Sequence, residues 1–310
     1  MEIVDNIQAE SAVTPEQSDN DAPATTNKWS PPKNYQKRLL ITAGIKSGGK
    51  SISLVGTADL HLKFGVHSDL YDAEYGKESR FINVFGPDLC TGYSLYSDGS
   101  GATAKQEAVI MLESLHSDAP FVIHDIGAGR NVMTTIGGIL GDGIHGLPEF
   151  FESCADAGRR VTIQHVLTND IEQILSLRNW IEAGEKLGFA DDVDHILLIN
   201  KRYLNSLEAC KAWFGEDGLP GTTGKKFDAL EKNGQAVKIA LPELKPRVLD
   251  KWIRRPFRFS EWETAAHLDI VEKSQARAFF RSLVREYYHA KDFNGLDLVD
   301  PKLIEPFLTR

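Results

Sequence analysis

The sequence predicts a three-layer α/β fold: a doubly wound, mostly parallel sheet covered by helices on both faces. Three observations predict it. Short apolar runs alternate with longer helical patterns from Lys37 onward, several of those runs are nearly unbroken, and a glycine-rich loop joins the first run to the first helical pattern. Strands that alternate with helices of this length form βαβ units and hence a parallel sheet. A strand buried on both faces needs no polar side, so it reads as a continuous apolar run.

The first 36 residues are rich in Asp, Asn, Gln, Ser, Thr and Pro. Such a segment cannot bury enough apolar surface to offset its ordering entropy. A disordered, solvated tail is expected, with the tethering of a partner as the second reading. Residues 37–258 carry the alternation and form the expected main domain. Its strands are expected at Arg38–Thr42, Ser68–Asp72, Phe81–Phe85, Phe121–Ile126, Arg160–Leu167, His195–Ile199 and Ala236–Ala240. Helices are expected at Ser51–Phe64, Thr103–His116, Leu147–Ala157, Asp170–Leu187, Leu207–Phe214 and Phe227–Asn233. Residues 259–310 read as an appended helical extension with no strand to widen the sheet. There Ser260-Glu-Trp-Glu263 has capping-box spacing, and Ile270, Phe279, Phe280, Leu283, Val284 and Tyr287 follow at roughly helical intervals.

Composition narrows the class. With 310 residues, 42% of them apolar, the chain can bury a sizeable core. A formal net charge of −9 opposes general adsorption to nucleic acid or anionic lipid, because the overall field repels polyanions. Cys90, Cys154 and Cys210 are scattered without C-x-x-C spacing, which suggests neither a zinc site nor a disulfide framework. The N-terminus has no basic segment followed by an apolar run, and no stretch of about 18 apolar residues occurs. A cytoplasmic protein without a transmembrane segment is expected.

Residues 44–51 read G-I-K-S-G-G-K-S, a full match to G-x-x-x-x-G-K-[ST]. The apolar run Arg38–Thr42 precedes the match and a helical pattern begins at Ser51. Strand, glycine-rich loop and helix N-terminus together present backbone N–H groups to phosphate. Gly44, Gly48 and Gly49 permit backbone conformations and close approaches that a Cβ would block. Lys50 would neutralise β- and γ-phosphate charge, and the Ser51 hydroxyl would ligate Mg²⁺, which prefers hard oxygen ligands. Gly44, Lys46, Ser47, Gly48, Gly49, Lys50 and Ser51 are therefore the candidate loop for ATP·Mg²⁺.

Such a loop needs carboxylates to organise the metal and an attacking water. In Phe121-Val-Ile-His-Asp125-Ile-Gly-Ala-Gly129 three apolar residues run into an acid, and glycines then open a loop. That pattern puts Asp125 at the C-terminal edge of the sheet, where α/β ligands bind, facing Mg²⁺ through a water. Asp72, at the end of Ser68–Asp72, and Glu74 just beyond it are candidates to orient water; a solvated loop acid is the competing reading there. His124 lies inside a strand and reads as packed.

These residues resemble the MinD/ParA superfamily of deviant-Walker P-loop ATPases, and within it the TraL-type ATPases of conjugative plasmids, across roughly residues 37–258. The resemblance rests on the loop, on Asp72-Ala-Glu74 and on Val122-Ile-His-Asp125-Ile-Gly-Ala-Gly129. Ile196-Leu-Leu-Ile-Asn200-Lys and Leu241-Pro242-Glu243-Leu244 follow in the same order. It implies an ATP-dependent switch with slow hydrolysis, dimerisation around nucleotide, and a role in DNA segregation, plasmid transfer or cell-pole positioning. It also implies a partner protein or DNA element, and an Asn200 contact with adenine. One departure is plain: the family's trans-acting lysine lies five residues before the loop lysine, a position held here by Ile45, with Lys46 next to it. Either the loop adjusts so that Lys46 serves, or the trans lysine is absent.

Between Lys245 and Arg258 six basic residues face one acid, Asp250, and Trp252 and Phe257 interleave them. Nucleic-acid binding by charge and stacking competes with an amphipathic helix that packs Trp252 and Leu249 inward, and the helix is favoured. Two rivals to an ATPase switch also stand. A P-loop small-molecule kinase would draw lid arginines from Arg130, Arg159 and Arg160, and a non-catalytic nucleotide-binding adaptor would keep the fold without turnover.

Overall fold

The computed structural model describes residues 36–44, 48–74, 79–95, 109–127, 132–215 and 221–309, which belong to one compact unit. In chain order they form β1 (Lys37–Ala43), α1 (Lys50–Phe64), β2 (Ser68–Asp72), α2 (Arg80–Phe85), β3 (Cys90–Gly92), helical residues 109–114 (α3), β4 (Phe121–Asp125), α4 (Val132–Gly137) and α5 (Leu147–Asp156). There follow β5 (Arg159–Leu167), α6 (Ile171–Leu187), β6 (Val193–Asn200), α7 (Lys211–Phe214), α8 (Thr222–Lys232), β7 (Ala236–Leu241), α9 (Pro246–Arg254), α10 (Ile270–His289), α11 (Lys291–Asn294) and α12 (Pro301–Leu308). The expected tail, apart from Gln36, lies outside the described residues, as do Ile45, Lys46 and Ser47 and the first part of the helix expected from Thr103.

The seven strands form one sheet in the order β3-β2-β4-β1-β5-β6-β7, and every strand ladder is parallel. Side-chain alternation explains its two coats. Leu39, Ile41 and Ala43 of β1 join a core with Val132, Ile136, Phe150, Phe151 and Trp180 from α4, α5 and α6. Leu40, one residue out of phase, is equally buried toward the other face, where α1 packs on β1, β2, β4 and β5. The doubly wound, three-layer expectation holds.

Charge pins the N-terminal edge of the sheet. Asp194 at the start of β6 accepts from Arg160 Nε at 2.8 Å and Nη2 at 2.7 Å, and from Arg38 Nη1 at 2.5 Å. Three neighbouring strands are thus held by one buried carboxylate with two guanidinium partners, which compensate its charge. Arg159, buried, donates to the carbonyls of Leu115, Ser117 and Ala119 at 2.7, 2.5 and 3.1 Å. Those carbonyls follow α3, so one guanidinium ties the end of that segment to β5.

The C-terminal residues are helical as expected, and they line the outer side of α1. Tyr287 Oη donates to Ser53 O at 3.0 Å, and the Ser260 N–H and hydroxyl donate to the Asp59 carboxylate at 2.7 and 2.6 Å. His61 Nε2 meets Asn294 O at 2.6 Å, and complete burial lowers its imidazole to about 4, so it stays neutral and donates there. Gly56 lets α10 approach: a Cβ there would lie 3.0 Å from Leu283.

Three local expectations are corrected. Phe81–Phe85 is a helix, because Phe81 and Phe85 lie four residues apart on one face and Gly86, at φ 79°, stops the turn. A short apolar run cannot by itself distinguish strand from helix. Ser260 does not cap a helix: it lies inside a 3₁₀ turn, Phe259–Glu261, and donates from its N–H and hydroxyl to Asp59. The capping box is Asp269 with Glu272, and α10 starts nine residues later than Glu261. Leu207–Phe214 breaks at Cys210 into a single 3₁₀ turn and α7. The strand β3 and helix α4 carry no expectation at all; each is six residues or fewer.

If the C-terminal helices fold cooperatively with the sheet, Leu283→Ala is expected to cost about 2–5 kcal/mol, the range for a buried leucine whose site cannot collapse. Urea unfolding followed at the tryptophans checks this. A loss well under 1 kcal/mol, or a separate early transition, would show that the contact with α1 is not part of the main cooperative unit.

Candidate functional site

The C-terminal ends of five strands meet at one cleft. β1 runs into the glycine-rich loop, β2 ends at Asp72, β4 at Asp125, β6 at Asn200 and β7 at Leu241. Parallel register sets the neighbours: Asp72 pairs with Asp125, and Asn200 with Leu241. Open α/β sheets bind ligands at this edge, where the helix N-termini also point. The cleft holds about 380 Å³, within the range of small-molecule sites.

The loop is shaped by glycine and braced from two sides. Gly44 sits at φ 124° and Gly49 at φ 101°, conformations that a side chain would strain. Gln173, in the first turn of α6, lies against the loop: a Cβ on Gly44 or Gly48 would stand 2.5 Å from its carboxamide. On the other side Asn200 Nδ2 donates to Gly48 O at 2.8 Å. Asn200 Oδ1 accepts from Arg202 N–H at 3.0 Å, so the expected adenine residue is, in its observed contacts, a brace for the loop.

α1 has no side-chain cap and no acidic residue in its first turn, as in α8 and α9, whereas an aspartate side chain caps α6, α10 and α12. The first-turn N–H groups of a helix have no intrahelical acceptor and carry the positive end of its dipole. An anion at this position is the natural complement.

Beneath that turn lies a charge cluster. The Ser51 hydroxyl hydrogen-bonds the Asp125 carboxylate, and Lys50 and Asp125 interact by charge. Burial lowers the Lys50 ammonium to about 8, opposed by Asp125 and then Glu74. Burial, followed by the charges of Asp72 and Glu74, raises Asp125 to about 7, opposed by Lys50 and the Ser51 hydrogen bond. Three carboxylates around one lysine leave an excess of negative charge.

The two acids after β2 take different positions. Asp72 is buried and accepts from Glu74 N–H and Ile82 N–H, both at 3.0 Å, which fastens the start of α2 to the end of β2. Burial raises its carboxyl all the same. Glu74 lines the cleft and Asp72 does not. Glu74 also packs over Gly127, where a Cβ would overlap its carboxylate; that is why the residue two after Asp125 is glycine. Sequence order alone could not separate the two acids.

The far end of the cleft is apolar. Tyr203, Leu241, Pro242, Leu244, Leu249 and Ile253 line it, from β7, α9 and the turn after β6. Leu241 and Pro242 belong to the segment singled out in the sequence; Tyr203 and Ile253 carry no signal that reading could use. Arg80, the first residue of α2, lines the acidic end and was also missed. Gln173 was missed because only folding brings α6 over a loop some 125 residues earlier.

Several other candidates resolve as structural. His124 bonds Tyr93 Oη at 2.7 Å and Ser114 Oγ at 2.9 Å inside the core, as a packed histidine should. The cysteines are buried, and none forms a disulfide among the described residues. Lys245, Arg247, Lys251 and Arg258 of the basic run form ion pairs with Glu243, Asp269, Glu272 and Glu261, and Val248, Leu249 and Trp252 pack inward. The amphipathic-helix reading stands. Arg159 and Arg160, considered for a lid, lie at the opposite edge of the sheet.

The residues present fit Mg²⁺. No three His, Cys, Asp or Glu side chains converge into an all-protein cage among the described residues. Mg²⁺ needs none, being held typically by one or two carboxylates, waters and substrate phosphates. A serine hydroxyl on a buried carboxylate, in a cluster with surplus negative charge, supplies the matching donors.

No protein-family model and no curated protein sequence matches the chain. Solved structures do match, at low identity. They include the cell division protein FtsY from Thermotoga maritima, 15% identical over 71% of this chain and 66% of that one, with a TM-score of 0.39. Chloroplast FtsY from Physcomitrella patens is 15% identical over 84% and 68%, with a TM-score of 0.38. The signal recognition particle receptor FtsY from Elizabethkingia anophelis is 18% identical over 82% and 68%, with a TM-score of 0.38. The chain spans about two thirds of the length of the first of these structures. No described helix is long and apolar enough to cross a membrane.

The cluster makes a pH prediction. A carboxyl raised by folding holds its proton more tightly in the folded state, so it costs stability as pH rises from about 4 through about 7 and fully above that. Asp125→Asn is expected to gain thermal midpoint relative to wild type progressively across that window and keep the gain at pH 8, without nucleotide. Lys50 acts in the same direction. Deprived of Asp125 its value falls further, and a lowered lysine loses stability as pH falls. A difference that stays flat between pH 4 and 8 would contradict the buried, frustrated carboxylate.

Proposed function

We propose that this chain is a nucleoside-triphosphate-binding switch of the P-loop kind, taking ATP with Mg²⁺ and hydrolysing it slowly. One observation carries the reading: an uncapped first helical turn under a glycine-shaped loop, with the Ser51 hydroxyl already turned to a buried acid. Phosphate would occupy the loop, its oxygens accepting from the first-turn N–H groups and from Lys50. Mg²⁺, when bound, supplies charge neutralisation between the phosphates and the acidic cluster. Ser51 would hold it directly and Asp125 through a water, while Glu74, of the two acids considered after β2, would orient the attacking water. The base would lie toward Tyr203, Pro242 and Leu244.

The resemblance to MinD/ParA and TraL-type ATPases supports the finer reading, a switch acting in plasmid partitioning, conjugative transfer or related positioning with a protein or DNA partner. Nucleotide-driven homodimerisation belongs to that reading. The kinase alternative is weakened by the placement of Arg159 and Arg160, both held in structural contacts at the other edge of the sheet; Arg130, its third lid candidate, lies outside the described residues. The adaptor alternative draws support from Asp72, whose two carboxylate oxygens are committed to backbone N–H groups.

Binding of a fluorescent ATP analogue with Mg²⁺ tests the core of the proposal, with ATP and GTP as competitors to settle the base. Lys50→Ala is expected to weaken binding at least about tenfold, since hydrogen bonds to charged groups contribute roughly 1.5–3 kcal/mol. Equal affinity of wild type and variant would overturn it. Ser51→Ala is expected to abolish the enhancement of binding by Mg²⁺ while leaving metal-free binding nearly intact. Sedimentation with no nucleotide, with ADP and with a slowly hydrolysed ATP analogue checks the dimer; one unchanged sedimentation coefficient would count against a nucleotide-driven sandwich.

A further inference from the structure

Among the described residues Arg80 has neither an ion pair nor a hydrogen bond, although it is only partly exposed and lines the cleft beside Lys50, Glu74 and Asp125. Arg202, the other arginine lining the cleft, is exposed and lies over the Tyr203 ring at the apolar end, and arginines beside structural acids are taken. Arg38 and Arg160 hold Asp194, Arg178 pairs with Glu182, and Arg258 pairs with Glu261. An uncommitted guanidinium inside a cleft is an anion-binding group awaiting its anion.

Topology says which anion. The loop and α1 mark the middle of the cleft, since β1 is the central strand of the sheet. The apolar end lies over β6 and β7, and Arg80 lies at the opposite end, on the helix that follows β2. A nucleotide laid with its base at the apolar end and its inner phosphates on the loop directs its outermost phosphate toward β4 and β2. Arg80 is firmly placed there: Asp72 accepts from the N–H groups of Phe81 and Ile82, the two residues after it, so the start of α2 is fixed to the strand end.

We infer that Arg80 binds the terminal phosphate of a nucleoside triphosphate in cis and makes this cleft discriminate triphosphate from diphosphate. The inference rests on the nucleotide-binding reading of the cleft and adds the residue that reads the third phosphate. Lys50 lies at the root of the loop and serves both ligands; Arg80 serves one.

Titration with fluorescent ADP and with a fluorescent, slowly hydrolysed ATP analogue, each with Mg²⁺, separates the two statements. Wild type, Arg80→Ala, Arg80→Lys and Lys50→Ala are compared, with thermal melts to confirm that each is folded. Arg80→Ala is expected to lose roughly tenfold or more in triphosphate affinity while diphosphate affinity changes less than about twofold, and Arg80→Lys to recover part of the loss. Lys50→Ala is expected to weaken both ligands. Equal weakening of both by Arg80→Ala, or no effect on either, overturns the role assigned to Arg80 while leaving the nucleotide site in place. Failure of the wild type to bind either ligand overturns the underlying reading, and this inference with it.

Discussion

Asp125 lies fully buried at the end of a strand next to the centre of the sheet, hydrogen-bonded by Ser51 and attracted by Lys50, with Asp72 and Glu74 adding negative charge nearby. Ionising it there is unfavourable, and the protein tolerates that cost because the rest of the fold allows no relaxation. Neither strand can swing away, since Asp72 and Asp125 are register partners in a parallel ladder. Glu74 packs over Gly127, beside the end of the same strand. Groups with strongly shifted titration concentrate where function needs them, and here the shift has a structural cause at each neighbour. A cation brought in with a phosphate chain would relieve the excess negative charge.

That rigidity originates far from the cleft. At the N-terminal edge Asp194 gathers Arg38 and Arg160, so β1, β5 and β6 start from a fixed point. Along the outer side of α1 the C-terminal helices hold Ser53, Gly56, Asp59 and His61 through three hydrogen-bonded contacts and one close approach. A nucleotide that shifted the start of α1 would have to disturb those contacts, because the helix is bonded along three turns. The extension is thus a second wall for the helix that carries the loop. Asp59 illustrates the arrangement: burial raises its carboxyl to about 6, opposed by the two donors of Ser260 and then by the charges of Arg258 and Lys63.

Much of this was legible in the sequence, for a physical reason. An apolar run such as Phe121–Ile123 that feeds an acid and a glycine-opened loop fits a doubly covered strand, and the glycine-rich loop has a spacing set by phosphate geometry. Lys50, Ser51 and Asp125 follow from those two facts. The misreadings occurred where local pattern is degenerate. Phe81–Phe85 has the length and composition of a strand, and only the cap from Asp72 and the stop at Gly86 make it a turn of helix. Ser260 has the spacing of a helix cap, yet Asp59, about two hundred residues earlier, offers it a better acceptor. Gln173 and Tyr203 reach the cleft only through folding, and no local pattern marks them.

Arginine usage shows most plainly what sequence alone withholds. Arg80, Arg159 and Arg160 are indistinguishable as residue types, and the adjacent pair looks the more suited to an anion. Folding reverses the ranking. Arg159 spends its donors on three carbonyls and Arg160 on a buried aspartate, both at the edge of the sheet that the helix N-termini point away from. Arg80 stands at the other edge, held by the backbone of its own helix and left without a partner. A guanidinium gains most from an anion where water is partly excluded and no neighbouring acid has claimed it, and Arg80 alone of the three meets both conditions.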